Sequence, residues 1–277
     1  DQLAQYVAIA TTEWLDSIGI FAEPIARNFL DSSHLAGRFF TLMAYIHIAV
    51  PLIMLLFMWV HMGLVSSILI SKDAMHAVTR AMEGEFLFRR PVPGLVSAAV
   101  LAVAALVLVH ALASIRRMPA SYREYRGFMK HARMLRHADT WLWLLQVITG
   151  LVLMFVVAIH LYEMALHPGA IGPYASADRA VSGRMWPLDL LMLYAVEIHA
   201  GIGLYRLILK WGWIRSSDPR RMRRRLRLLI TLIVVFFLVL GTLTLATYVR
   251  IGLEHRDRAG ERYVPEHPQV PGNRGTH

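Results

Sequence analysis

The chain has 277 residues, 56% of them hydrophobic and 17% charged, and it contains no cysteine. Such a composition is too apolar for an ordinary soluble domain, and without cysteine the chain can hold no iron–sulfur cluster, thioether-linked haem or disulfide. The net charge of +10 would suit a nucleic acid, but the basic residues concentrate in two short connections between apolar spans, so they are read as topology signals and no nucleic-acid partner is expected.

Residues 1–39 read as an N-terminal arm, in which Glu13, Trp14, Phe21 and Ile25 suggest a short amphipathic element. No basic start leads into an apolar core and a small-residue cleavage site, so no cleavable signal peptide is expected. A helix needs about 20 apolar residues to cross a bilayer, because its backbone finds no water there. Five segments meet that requirement: Phe40–Ile70, Val92–Ile115, Thr140–Leu166, Trp186–Leu209 and Leu226–Val249. The expected fold is all-α, an integral membrane bundle of five helices over residues 40–254, with a polar tail over 255–277.

Between the second and third spans, residues 116–137 carry seven Lys and Arg against the single acid Glu124. The stretch 210–227 is as basic, with Asp218 its one acid. Both are expected on the cytoplasmic side, which puts the N-terminus in the cytoplasm and the C-terminus outside. The connections 71–91 and 167–185 mix acids with fewer bases and are expected to face outward. Trp141, Trp143, Trp186, Trp211 and Trp213 fall near span ends, where an amphipathic ring suits the headgroup layer, although core packing explains any one of them equally well.

Five histidines, His47, His61, His110, His160 and His199, lie within the spans, where a polar ring is costly without a partner. A single one would more often be a hydrogen-bonding residue. Four on four helices are different, because the direction and rise of each helix sort them by depth. His61 and His160 fall toward the outer face, whereas His110 and His199 fall at mid-depth or inward. Two imidazoles at one depth can supply both axial ligands of a haem, and two such pairs make an electron path across the membrane. Glycines 63, 150, 201 and 203 would admit a flat macrocycle, and close helix packing explains them almost as well. His47 has no counterpart on a second helix and reads as a hydrogen-bonding residue.

Glu197, two residues before His199, is costly as an anion at mid-membrane, so it reads either as a neutral hydrogen-bonding carboxyl or as a proton relay. Glu83 and Glu85 precede the second span on the outer side, where either could take a proton from a quinol.

The runs HMGLVSSILISKDAM, RRMPASYREY, RHADTWLW, HLYEMALHPGAIGP and WPLDLLMLYAVEIHAGIGLYRLILKWGW resemble the di-haem cytochrome b subunit of quinol:fumarate reductases, within the succinate:quinone oxidoreductase family. The resemblance covers roughly residues 57–254. It implies two haems b, the outer held by His61 and His160 and the inner by His110 and His199, with menaquinol as substrate. It further implies that Glu83 accepts quinol protons and that Glu197 belongs to a transmembrane proton path. Trp143 and Lys210 would hold inner-haem propionates, and Arg179 would do the same outside. Where the family carries a Trp-Gln-Ser run near the inner end of its first helix, this chain has Ile46, His47 and Ile48, and His47 stands as the candidate replacement.

The implied setting is the bacterial inner membrane. There an iron–sulfur subunit and a flavoprotein subunit would dock on the cytoplasmic side and perform the dicarboxylate chemistry, with a dimer of such heterotrimers admitted. The same cofactors run in reverse would give a succinate:menaquinone reductase. The cytochrome b subunit of a hydrogenase or formate dehydrogenase is another alternative, disfavoured by the near-continuous fumarate-reductase-like pattern, and a haem-free anchor or transporter is a different class. The last is disfavoured by the paired histidines and by the lack of repeated halves.

Overall fold

The structure is a computed structural model, and it describes residues 34–115, 121–135, 138–214 and 216–265. Residues 1–33, most of the expected arm, lie outside the described residues, as do 266–277. All regular structure among the described residues is helical. Nine α-helices follow one another: α1 (His34–Val65), α2 (Lys72–Met82), α3 (Glu85–Phe88), α4 (Gly94–Ile115), α5 (Tyr122–Leu135), α6 (Ala138–Leu166), α7 (Pro173–Val181), α8 (Trp186–Lys210) and α9 (Pro219–Glu254). Short 3-10 turns follow α1 at Ser66–Leu69 and α9 at Arg256–Arg258.

Five of these are long and apolar enough to span a membrane: Ile46–Leu69 of α1 with its 3-10 turn, then α4, α6, α8 and α9. Each satisfies its own backbone hydrogen bonds along its length, the condition for crossing lipid. Pro51 lies inside α1 without ending it. The large side chains left bare, such as Phe155, Leu101 and Leu228, are the surface that lipid chains would cover.

Helical structure extends past the apolar runs. α1 starts before Phe40, and α9 starts at Pro219 rather than Leu226, taking in most of the arginines of the preceding stretch. The basic connection 116–137 contains α5. Hydropathy marks only the lipid-immersed part of a helix, whereas capping marks its true start. Asp218 supplies that cap for α9, accepting from Arg221 N–H at 2.9 Å, with Pro219 in the first turn.

In the bundle α1 packs on α4, α4 on α6, α6 on α8 and α8 on α1, closing a four-cornered ring. α9 lies outside this ring against α8 and α1. The two basic connections lie at one end. α2, α3, α7 and the segment after α9 gather at the opposite end, where Ile68, Met75, Ala177, Ala180, Tyr248 and Ile251 form a buried cluster. At the arginine-rich end Tyr205, Leu226 and Ile230 form another.

Candidate functional site

Each corner of the ring carries one of the histidines paired from sequence, His61 on α1, His110 on α4, His160 on α6 and His199 on α8, and α1 also carries His47. The rings of His110 and His199 meet across the bundle, with centroids 6.1 Å apart and planes at 86°. His199 Nδ1 lies 2.9 Å from the carbonyl oxygen of Gln146 and 3.4 Å from Thr149 Oγ1, both on α6. A carbonyl can only accept, so Nδ1 carries the proton and Nε2 keeps its lone pair. Gly150 makes room for that ring: a Cβ there would stand 3.0 Å from His199 Cε1. His47 lies within electrostatic range of His110.

Toward the opposite end, His61 and His160 lie within electrostatic range of each other, and Arg179 reaches the same neighbourhood. His61 stacks on Phe57 one turn earlier in α1, at 5.6 Å and 11°. Arg179 on α7 donates to the carbonyl of Ala170 at 2.9 Å and to Ser176 Oγ at 3.4 Å. Burial lowers its affinity for its proton, while Asp189 and Glu163 raise it. Trp143 and Lys210 sit at the arginine-rich ends of the adjacent helices α6 and α8. The Lys210 ammonium lies 5.8 Å above the Trp211 ring.

The three acids singled out from sequence have unlike surroundings. Glu197 is 1% exposed, deep in α8, and its Oε1 has no hydrogen-bond partner. The Trp59 indole of α1 approaches it, although Nε1 also falls outside bonding geometry, and that ring stacks on Phe237 of α9 at 5.3 Å. Glu83 is buried at the C-cap of α2. Burial pushes its carboxyl above the usual range and Glu85 pushes the same way, against the pull of Arg80 and Arg262. Glu85 is instead held by Arg80 through two 2.7 Å bonds, which lower its pKa.

Two further constellations carry no signal that sequence reasoning caught. At the arginine-rich end Asp139 of α6 accepts from Tyr205 of α8 at 3.3 Å and faces Arg223 and Arg227 of α9, each at 3.5 Å. At the opposite end His255, assigned to a polar tail, is buried against Asp178. Asp139, an acid just beyond the basic connection 116–137, was the available clue to the first. His255 offered none, because nothing in its neighbours marks it as buried.

Five helices long and apolar enough to cross a membrane, with two imidazoles facing each other between them, make a membrane bundle of the kind that can hold a group between its helices. Residues 122–240 match the family described as the succinate dehydrogenase/fumarate reductase transmembrane subunit. The fumarate reductase cytochrome b subunit of Wolinella succinogenes is 44% identical over 202 residues, 73% of this chain and 79% of that protein. Its counterpart from Helicobacter pylori strain J99 is 39% identical over 213 residues, 77% of this chain and 82% of that one. The chain belongs to the family of fumarate reductase cytochrome b subunits.

Membership implies haem and catalytic partner subunits in a bacterial membrane complex. His110 and His199 fit the group. Two metal–nitrogen bonds of about 2 Å, added to the distance from each ring centre to its nitrogen, come to about 6 Å, close to the His110–His199 separation. The Nδ1–H bond to a backbone carbonyl is the outer contact that ligating histidines commonly make.

Proposed function

We propose that this chain is the quinol-oxidising, electron-transferring membrane subunit of a fumarate reductase, with two bis-histidine haems b. His61 and His160 would hold one near the outer face, and His110 and His199 the other, nearer the cytoplasm. Held there, the haems supply one-electron transfer across the membrane between quinol and an iron–sulfur subunit, which passes reducing power to a flavoprotein subunit. The observation that carries this reading is the His110–His199 pair with its Nδ1 tie to Gln146. The arginine-rich end is assigned to the cytoplasm and the end bearing α2, α3 and α7 to the outside.

Each remaining residue has work that follows from its setting. Glu83, buried at the outer end yet flanked by cations, takes a proton from menaquinol and passes it outward. Glu197, enclosed between α8 and α1, holds a proton at mid-membrane on a path that runs inward. Moving two electrons inward against the potential costs about 4.6 kcal/mol per 100 mV, and one proton moving with each electron cancels that cost. Arg179 stands by the outer pair, and Trp143, Lys210 and His47 by the inner, as partners for haem propionates.

The deciding experiment is purification of the complex from membranes. Expected are two haems b per copy of this chain, a bis-imidazole spectrum, co-purifying iron–sulfur and flavin subunits, and fumarate reduction driven by a menaquinol analogue. A preparation of full partner content with one haem or none per chain overturns the di-haem reading.

A further inference from the structure

The basic stretch 210–227 marks one side of the membrane, and the fold sorts its arginines further, by what each one faces. On α9 the buried positions Leu226, Ile230, Gly241, Thr244 and Tyr248 fall along one face, which is turned toward the rest of the bundle. Arg223 and Arg227 stand beside that face and share Asp139 of α6, each at 3.5 Å.

Arg221, Arg224 and Arg225 differ in both respects. At about 100° per residue they fall on the opposite side of the helix. All three are exposed, and among the described residues no acid pairs with their guanidinium groups. Arg221 and Arg225 head a row that continues through Leu228, Leu232, Val235 and Val239, spaced alternately four and three residues apart, so it runs straight along the helix. Every residue of this row is exposed, and no charged residue follows on α9 until Arg250. From Leu228 back to Arg225 and Arg221, a rise of about 1.5 Å per residue gives roughly 5 and 10 Å, the depth range of the headgroup layer outside the hydrocarbon.

We propose that Arg221, Arg224 and Arg225 bind the headgroup of an anionic phospholipid whose acyl chains lie along Leu228, Leu232 and Val235. Guanidinium groups bond phosphate oxygens through paired N–H donors, and basic clusters just outside a span attract anionic lipid. The cations and the apolar row share one face, so the two halves of an amphiphile are met in the right order. A free anion would use only the upper half. A soluble subunit seated over the four-cornered ring would meet the helix ends around its axis, whereas these three arginines lie on the side turned away from it.

The test uses the whole purified complex, delipidated in detergent and titrated with phosphatidylglycerol or phosphatidylcholine, with bound lipid counted by native mass spectrometry. Phosphatidylglycerol is expected to bind in preference, with affinity falling about fivefold for each arginine removed and about 100-fold in R221Q/R224Q/R225Q. The triple lysine variant should keep most of the affinity, and R223Q, on the Asp139 side, should bind as the native complex does. Native affinity in the triple glutamine variant overturns the site, and an equal loss in R223Q overturns the assignment to this face. Inorganic phosphate that displaces the lipid at equal concentration overturns the lipid assignment in favour of a plain anion site. Loss of the iron–sulfur subunit, or of a second copy of the chain, with lipid affinity unchanged assigns the arginines to a protein interface instead. Should the triple glutamine variant fail to assemble, R225Q decides: native affinity for phosphatidylglycerol overturns the proposal.

Discussion

His199 Nδ1 on α8 lies 2.9 Å from the carbonyl oxygen of Gln146 on α6, while the His199 ring faces His110 of α4 at 6.1 Å. One imidazole therefore ties together three corners of the ring, and its protonated nitrogen is the one turned away from chemistry. Replacing His199 or His110 by Ala is expected to halve the haem content per chain, measured as the pyridine haemochrome against protein, and the double variant should lose no more than either single one. Haem content equal to the native value in His199→Ala would remove the pair as ligands.

Gly150→Ala tests the same corner more finely. The added methyl would stand 3.0 Å from His199 Cε1 and 3.3 Å from Nδ1, so the ring must tilt. The low-spin haem signal associated with the His110–His199 pair should shift in electron paramagnetic resonance, while the other signal stays fixed. Two signals moving together, or neither, would contradict this placement.

For Glu83→Gln, haem content is expected to be native and quinol oxidation to fall by about 100-fold or more. Burial holds the native carboxyl above its ordinary range. It is therefore protonated, and unable to accept, at a higher pH than an exposed carboxylate would be. The native rate should accordingly decline on acidification earlier than such a carboxylate would dictate, and Glu83→Gln should erase that limb. Normal quinol kinetics in the variant would place proton acceptance elsewhere.

Glu197→Gln is expected to keep both haems and to make turnover in proteoliposomes charge-separating, because electrons would then cross without protons. A potential-sensitive dye reports the difference. Turnover that is unaltered in rate and remains electroneutral would dismiss the proton path.

Packing makes a separate prediction about stability. A Cβ on Gly252 of α9 would come within 2.5 Å of the Ala177 carbonyl oxygen on α7, and backbone cannot yield cheaply. Gly252→Ala should cost about 1–3 kcal/mol. Asp139→Asn keeps an oxygen that can accept from Tyr205 and weakens the contacts to the half-exposed Arg223 and Arg227, worth about 1 kcal/mol or less. Thermal unfolding in detergent should rank them in that order, and the reverse ranking would mean that the arginine-rich end is the tighter joint.

The spans were legible in the sequence because lipid leaves a helix no alternative, so about 20 apolar residues are themselves a structural statement. The intramembrane histidines were legible for the related reason that a polar ring in hydrocarbon needs a purpose. What lay outside lipid was less so. α5 and the first turns of α9 are helices rich in charge, and counting basic residues reveals the side of the membrane but not the backbone conformation. His255 and Asp178 lie 77 residues apart in the chain, and only the packing of α9 on α7 makes them neighbours. The same holds for Glu83 and Glu85, two residues apart and equivalent on paper, which the structure separates into a buried acid and one bound to Arg80.

α9 runs unbroken from Pro219 to Glu254, and at about 1.5 Å per residue it is about 54 Å long, well beyond the roughly 30 Å of hydrocarbon. Its only proline is in the first turn, where it starts the helix without kinking it. One continuous helix thus begins among Arg220–Arg225, at the face where soluble subunits are proposed to sit, and ends against the buried His255 at the opposite surface. A partner seated on those arginines would therefore grip the same helix whose far end packs on α7 and is followed by His255 against Asp178.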